Sequence, residues 1–270
     1  MITLQPRKPF KLPVIADCIN PSFFQDKTLI DIETLTVWEG NKQKTLSDLF
    51  KTEETEPEGT TITIDGDTTH VRQIGKGMTN GEIVINGNVG MHLGEEMKGG
   101  QITVHGNAGS WVGSMMKGGI IEVHGNVGDY LAAPYRGSTE GMRGGRIVVH
   151  GNAGNEAGAH MRKGLIKILG NAGQFAGFRM RDGTICIQKG CAGRVGACMA
   201  GGKIIVVGFA DSVLPTFTID SVKPKVKVEE TEVVQGPFYV FLGDLAEGGS
   251  GKLYVSKGKN PQLSHYERFL

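Results

Sequence analysis

A 13-residue phrase, Gly-x-x-Met-x-x-Gly-x-Ile-x-Val-x-Gly, recurs seven times in the middle of this chain, beginning at Gly75, Gly94, Gly113, Thr139, Gly158, Gly177 and Gly196. Starts are 19 residues apart at most steps, 21 where a weaker opening unit is included, and 26 at a single insertion. A period of this length marks an array of like units, because one unit cannot bury its own apolar face. Within a unit such as Gln101-Ile102-Thr103-Val104-His105-Gly106-Asn107, Ile102 and Val104 alternate with polar neighbours, the pattern of a short strand with one inward face. The Gly-Asn pair that follows tolerates positive φ, so the chain turns there. Ile83, Ile102, Ile121, Ile147, Ile166, Ile185 and Ile204 return in one column. Met78, Met97, Met116, Met142, Met161, Met180 and Met199 return in another.

Such columns predict an all-β chain: a single-stranded, right-handed parallel β-helix of about seven 19-residue coils, with irregular N- and C-terminal caps. Three segments follow: 1–58 as N-terminal cap and linker, 59–208 as the repeat domain, and 209–270 as C-terminal cap and tail. The first holds one short predicted helix, Thr45 to Lys51, and ends in an acidic surface linker, Glu53 to Gly59. No helical segment of useful length fits between the repeat strands, which argues against an alternating strand–helix sheet.

The bulk chemistry excludes several classes. A net charge of +1 speaks against a general nucleic-acid binder. No apolar run approaches the roughly 20 residues of a membrane span. Arg7, Lys8 and Lys11 are followed by no apolar core of a secretory signal. Cys18, Cys186, Cys191 and Cys198 contain no C-x-x-C pair, and a cytoplasmic protein with free thiols is the expectation. No nucleophile, zinc-protease or phosphate-loop motif is present, so no catalytic residue and no metal site is expected.

Several columns remain for function. His105, His124 and His150 share one, but parallel side chains about 4.8 Å apart do not converge on a metal, and an outer polar ladder or partner face is favoured. Asn88, Asn107, Asn126, Asn152 and Asn171 suggest an amide ladder at a corner. Cys186, Cys191 and Cys198 match no iron–sulfur spacing, and Cys191 is expected as a small buried thiol. Lys98, Lys117, Arg143, Arg162 and Arg181 follow the methionines and stack five cations on one edge. Either neighbouring Glu95, Glu96 and Glu140 neutralise them, or an anionic ligand or acidic partner faces them. The insertion, Asp129 to Gly141, carries Tyr130, Tyr135 and Arg136, residue types enriched at interfaces.

The repeat resembles the Gly-x-Gly-x-Gly module of the glutamate synthase C-terminal domain. With the stretch Phe241-Leu-Gly-Asp-Leu-Ala-Glu-Gly-Gly-Ser-Gly-Lys-Leu-Tyr254, it is more closely similar to the C subunit of formylmethanofuran dehydrogenase, of the tungsten or molybdenum type. Lys189-Gly-Cys-Ala departs from the usual Gly-Asn-Ala-Gly corner. The resemblance implies a non-catalytic subunit of a complex that reduces CO2 with ferredoxin electrons and forms N-formylmethanofuran in methanogenic archaea. It implies no cofactor in this chain. A tungsten or molybdenum pterin, iron–sulfur clusters and binuclear zinc would lie in the pterin-binding, amidohydrolase-like, small pterin-associated and polyferredoxin subunits. The glutamate-rich tail of methanofuran makes the cationic column a candidate contact. The C subunit of a bacterial formyltransferase/hydrolase complex and a glutamate synthase-type spacer are alternatives. A stand-alone β-helix lyase is disfavoured, because no carboxylate column is present.

Overall fold

The computed structural model describes residues 1–55 and 61–270. Residues 56–59 of the expected linker, and the boundary expected at 58/59, lie outside them. Each repeat supplies one short strand: Glu82–Asn86, Gln101–Val104, Ile120–Val123, Arg143–Val149, Lys163–Ile168, Thr184–Ile187 and Lys203–Val206. These lie side by side, parallel and in register, so Ile83, Ile102, Ile121, Ile147, Ile166, Ile185 and Ile204 face one another in turn. Thr61–Asp65 and Ile2–Pro6 continue the parallel run at one end, and Gly251–Ser256 continues it at the other. Antiparallel partners close both margins: Phe50–Glu54 beside Ile2–Pro6, and the hairpin of Thr218–Glu229 and Glu232–Gly243 beside Gly251–Ser256.

The expected all-β, closed single-stranded β-helix is therefore corrected. Among the described residues the repeat strands collect into a mixed, mostly parallel 13-stranded sheet; Lys42–Thr45, Thr36–Glu39, Val14–Ile15 and Val71–Arg72 form a four-stranded sheet and Gly190–Cys191 pairs with Phe209–Ala210, with short helices at Pro21–Phe24, Leu29–Glu33 and Leu46–Leu49 and 3₁₀ turns at Leu245–Glu247 and Pro261–Phe269. The physical reason lies in the repeat itself. Only its Ile-x-Val stretch alternates long enough to hold a ladder. The remaining residues are turns with glycine and left-handed backbone; they join neighbouring repeats through scattered backbone hydrogen bonds and through single bridges such as Val89–Ala108–Val127–Ala153 rather than through a second continuous ladder. The helix expected at Thr45 to Lys51 is shorter, Leu46–Leu49. The Asp48 carboxylate accepts the Thr45 N–H at 2.9 Å, and Phe50 already begins a strand.

Both repeat columns are core: all seven methionines and all seven isoleucines are fully buried. Gly113 shows why the phrase opens on glycine. Its φ is +61°, and an added Cβ would lie 2.5 Å from Ile147 Cδ1. The fourth unit departs from the repeat pattern here. Ala132, not Thr139, occupies the glycine position: its φ is +59°, its N–H donates to Val112 O, and Met142 N–H donates back to Ala132 O. Gly113 does the same through Leu93 O and Met116. The insertion thus sits inside the phrase, between Ala132 and Met142; a bulge between Arg143 and Arg146 follows it, and Ile147 pairs in line with Ile121 and Ile166. The asparagines form the expected ladder, each Oδ1 accepting the next Asn backbone N–H at 2.8–2.9 Å.

The hairpin does more than end the sheet. It folds over the outer face, where Val226, Val228 and Phe238 pack on Leu165, Cys186 and Ile205. Glu229 pairs with Arg146 at 2.8 Å, Glu232 pairs with Lys167 at 2.6 Å, and Lys203 donates to the Lys227 carbonyl.

Candidate functional site

Identical backbone bonds hang the five stripe cations. Lys98, Lys117, Arg143, Arg162 and Arg181 each donate their N–H to the buried methionine carbonyl of the preceding repeat, at 2.7–2.8 Å. The side chains then meet different fates. Glu96 pairs with Lys117 at 3.3 Å, while Glu140, on the insertion, holds Arg143 at 2.7 Å and reaches Arg162 at 3.8 Å. Among the described residues, no carboxylate pairs with Lys98 or Arg181. Arg181 instead lines a cavity of about 480 Å³ with Thr139, His160, Arg179, Cys198, Ala200 and Glu247. Burial, then Arg179, Arg181 and Arg162, holds the His160 imidazole below its usual range. The Arg162 Nε is buried without a hydrogen-bond partner. This end of the stripe is a cationic basin with one carboxylate, Glu247, to offset it.

A second column was hidden from the sequence. His92, Trp111, Tyr130, Glu156, Phe175 and Arg194 all adopt left-handed backbone, with φ between 58° and 65°. At the first three positions the N–H donates to a backbone carbonyl of the following repeat. Their side chains therefore rise in one row. The rings of His92 and Trp111 stack at 5.3 Å, and those of Trp111 and Tyr130 at 4.6 Å. Tyr135, from the insertion, crosses both His92 and Trp111 edge-on. It separates a cavity of about 250 Å³, lined by Trp111, Tyr130, Tyr135, Arg136, Glu156 and His160, from one of about 380 Å³ lined by Arg72, Lys76, His92 and Glu95. Burial lowers the His92 pKa against the opposing pull of Glu95. His92 Nδ1 lies 3.4 Å from Glu95 Oε2 and is buried without a hydrogen bond. Arg136 is exposed and Tyr135 is half-exposed at the loop tip. The row was legible only as an unexplained 19-residue recurrence of large side chains two residues after the Asn-x-Gly corner.

The remaining columns separate. His105, His124 and His150 stack on the outer sheet face at 5.0 and 4.6 Å, with Glu122 Oε1 2.7 Å from His150 Nε2. Cys191 is buried, and desolvation followed by Asp211 pushes its thiol up to about 12. Cys186 is buried on the opposite, hairpin side, and Cys198 is only half-buried at the basin. The three cysteines are not gathered into a cluster-ligand set. In the Phe241–Tyr254 stretch, Asp244 is the buried polar residue: its carboxylate accepts the Cys198 N–H at 2.9 Å and caps the 3₁₀ turn through Ala246. It thereby ties Cys198 to the turn that carries Glu247, two residues that line the basin.

No family model matches the chain. It is 48% identical over 258 residues to the C subunit of the tungsten-containing formylmethanofuran dehydrogenase 2 of Methanococcus maripaludis, covering 93% of this chain and 95% of that protein. The chain belongs to the family of formylmethanofuran dehydrogenase C subunits. It also matches the C subunit of the molybdenum-containing formylmethanofuran dehydrogenase 1 of Methanothermobacter marburgensis, 44% identical over 90 residues. That match covers 33% of this chain and spans only 22% of the relative's length. The crystal structure of the formyltransferase/hydrolase complex from Methylorubrum extorquens, in complex with methylofuran, contains a similar chain. Its TM-score is 0.85 at 28% identity, with 94% of this chain and 99% of that one covered. Among the described residues, no helix is long and apolar enough to cross a membrane.

Proposed function

We propose that this chain is the structural and assembly subunit of a formylmethanofuran dehydrogenase complex, which reduces CO2 with ferredoxin electrons and forms N-formylmethanofuran, and that it contributes no catalytic residue. The near-full-length likeness to a tungsten-type C subunit supports this reading most strongly. The use of the repeat columns supports it, because Ile, Met and Asn are all consumed in packing and laddering. Tungsten or molybdenum pterin, iron–sulfur clusters and binuclear zinc belong to partner subunits in this reading. Among the described residues the thiols are not gathered into a donor group, the grouped donors being Glu122, His124 and His150, which is in keeping with this reading. Co-purification with mass spectrometry tests the assignment. The expected companions are pterin-binding, amidohydrolase-like and polyferredoxin subunits. A purified chain that is active alone, or that captures none of them, overturns it. The likeness to the Methylorubrum extorquens structure favours one second reading, the C subunit of a formyltransferase/hydrolase complex. A companion set lacking the pterin-binding protein selects it.

The stripe then divides by its ion pairs. Lys117, Arg143 and Arg162 are already partnered, so Lys98 and the Arg181 basin are the positions open to the acidic tail of methanofuran or to an acidic partner. Arg181→Glu is expected to raise the methanofuran KM several-fold with kcat and assembly intact, and an unchanged KM removes this role. Tyr130, Tyr135 and Arg136 are the proposed partner contact. Tyr135→Ala should weaken assembly by about 2 kcal/mol in a binding titration if the tyrosine is an anchor.

A further inference from the structure

We propose that Glu122, His124 and His150 form a three-donor site for a divalent transition-metal ion of the zinc type on the open part of the outer sheet face. Two imidazoles and one carboxylate are a donor set that suits zinc, with a further position left for water. The sheet brings the donors together from two neighbouring strands. Val123 pairs with Val149, so His124 and His150, the next residues, occupy equivalent places. Each is fixed by its N–H, to Val104 O at 2.8 Å and to Val123 O at 2.9 Å. Glu122 lies two residues before His124 and therefore on the same face. Its carboxylate crosses diagonally to His150 Nε2 at 2.7 Å. One ligand atom from each residue lies within 4.8 Å of the others.

A histidine-only column is a poor chelator, because stacked rings point their nitrogens in parallel. The carboxylate changes this. It belongs to a different column and approaches from the side, so one imidazole–carboxylate pair is already at contact distance. Bonds of about 2.0–2.2 Å need ligand pairs at roughly 3.4 Å, so the Glu122–His150 hydrogen bond has to open by about 0.7 Å and the His124 nitrogen has to swing in. Both histidines are exposed and Glu122 is half-exposed, which leaves them free to do so. The third histidine, His105, stacks on His124 at 5.0 Å and stands outside the donor set, which makes it the internal control.

Isothermal titration of the full chain with Zn²⁺ near neutral pH, and Co²⁺ visible absorption as a geometry readout, test the site. Saturable binding of one ion per chain is expected. His150→Ala and His124→Ala should each weaken it at least ~10-fold, and Glu122→Gln should weaken it less. His105→Ala should leave it within about twofold. Absence of saturable binding, or binding that survives the His124→Ala/His150→Ala double substitution, overturns the proposal. Thermal melts without metal establish that each variant is folded.

Discussion

The outer face of the sheet has two halves built from the same repeat. Across the strands from Thr61–Asp65 to Ile120–Val123, the outward column runs Thr63, Val84, Thr103, Glu122, and none of these is fully buried. Beyond Arg143–Val149, where Val148 and Lys167 continue that column, it turns to Cys186 and Ile205, and the parallel column contributes Leu165; all three are buried under the hairpin. The inner columns do not change between the halves. One repeat therefore serves two environments, and the outward residues alone record which half is covered. Strands buried on both faces lose their alternation, as Thr184–Ile187 and Lys203–Val206 do.

The covered half should be the energetically sensitive one. Phe238→Ala, which removes the hairpin's largest wholly buried side chain over the sheet, is expected to cost about 3–5 kcal/mol in urea unfolding. Ile205→Ala should cost about 2–5 kcal/mol, whereas Thr103→Ala on the open half should stay within about 0.5 kcal/mol. Equal losses at Ile205 and Thr103 would erase the distinction. Cys186 gives a pH version of the test. Desolvation and then Glu232 push its thiol from 9.0 up to about 11. Stability from keeping it neutral is fully present below pH 9 and is lost as pH rises toward 11, because the unfolded thiol ionises first. The loss should reach about 2–3 kcal/mol and vanish in Cys186→Ala. The same thiol should resist alkylation in the native protein, while half-buried Cys198 reacts first. The smallest effect belongs to Lys167→Ala. The half-exposed pair with Glu232 should be worth about 1 kcal/mol or less, and 0.5 M salt should reduce it further.

The inner half of this structure was legible and the outer half was not. The Ile, Met and Asn columns follow from the 19-residue period, and register made them visible without coordinates. The closed coil did not follow. Periodicity reports which residues share a column, but not whether the turn between strands can hold a second ladder. The left-handed row of His92, Trp111 and Tyr130 was missed because sequence reasoning assigns positive φ to glycine and asparagine. Here each N–H bonds to a carbonyl of the next repeat, which holds aromatic residues in that backbone. Glu122 was missed as a companion of His150 because it belongs to another column, and only the diagonal of the sheet joins them. The hairpin's position could have been inferred from the apolar outward residues Leu165, Cys186 and Ile205, had the loss of alternation been weighed.

Met142 N–H donates to Ala132 O, and Ala132 N–H to Val112 O, as though the residues between Ala132 and Met142 were absent. The intervening segment is spliced into the frame at two fixed points, and the frame is indifferent to what lies between. Lengthening it, shortening it or exchanging its Pro-Tyr-Arg tip should leave the architecture of the sheet in place.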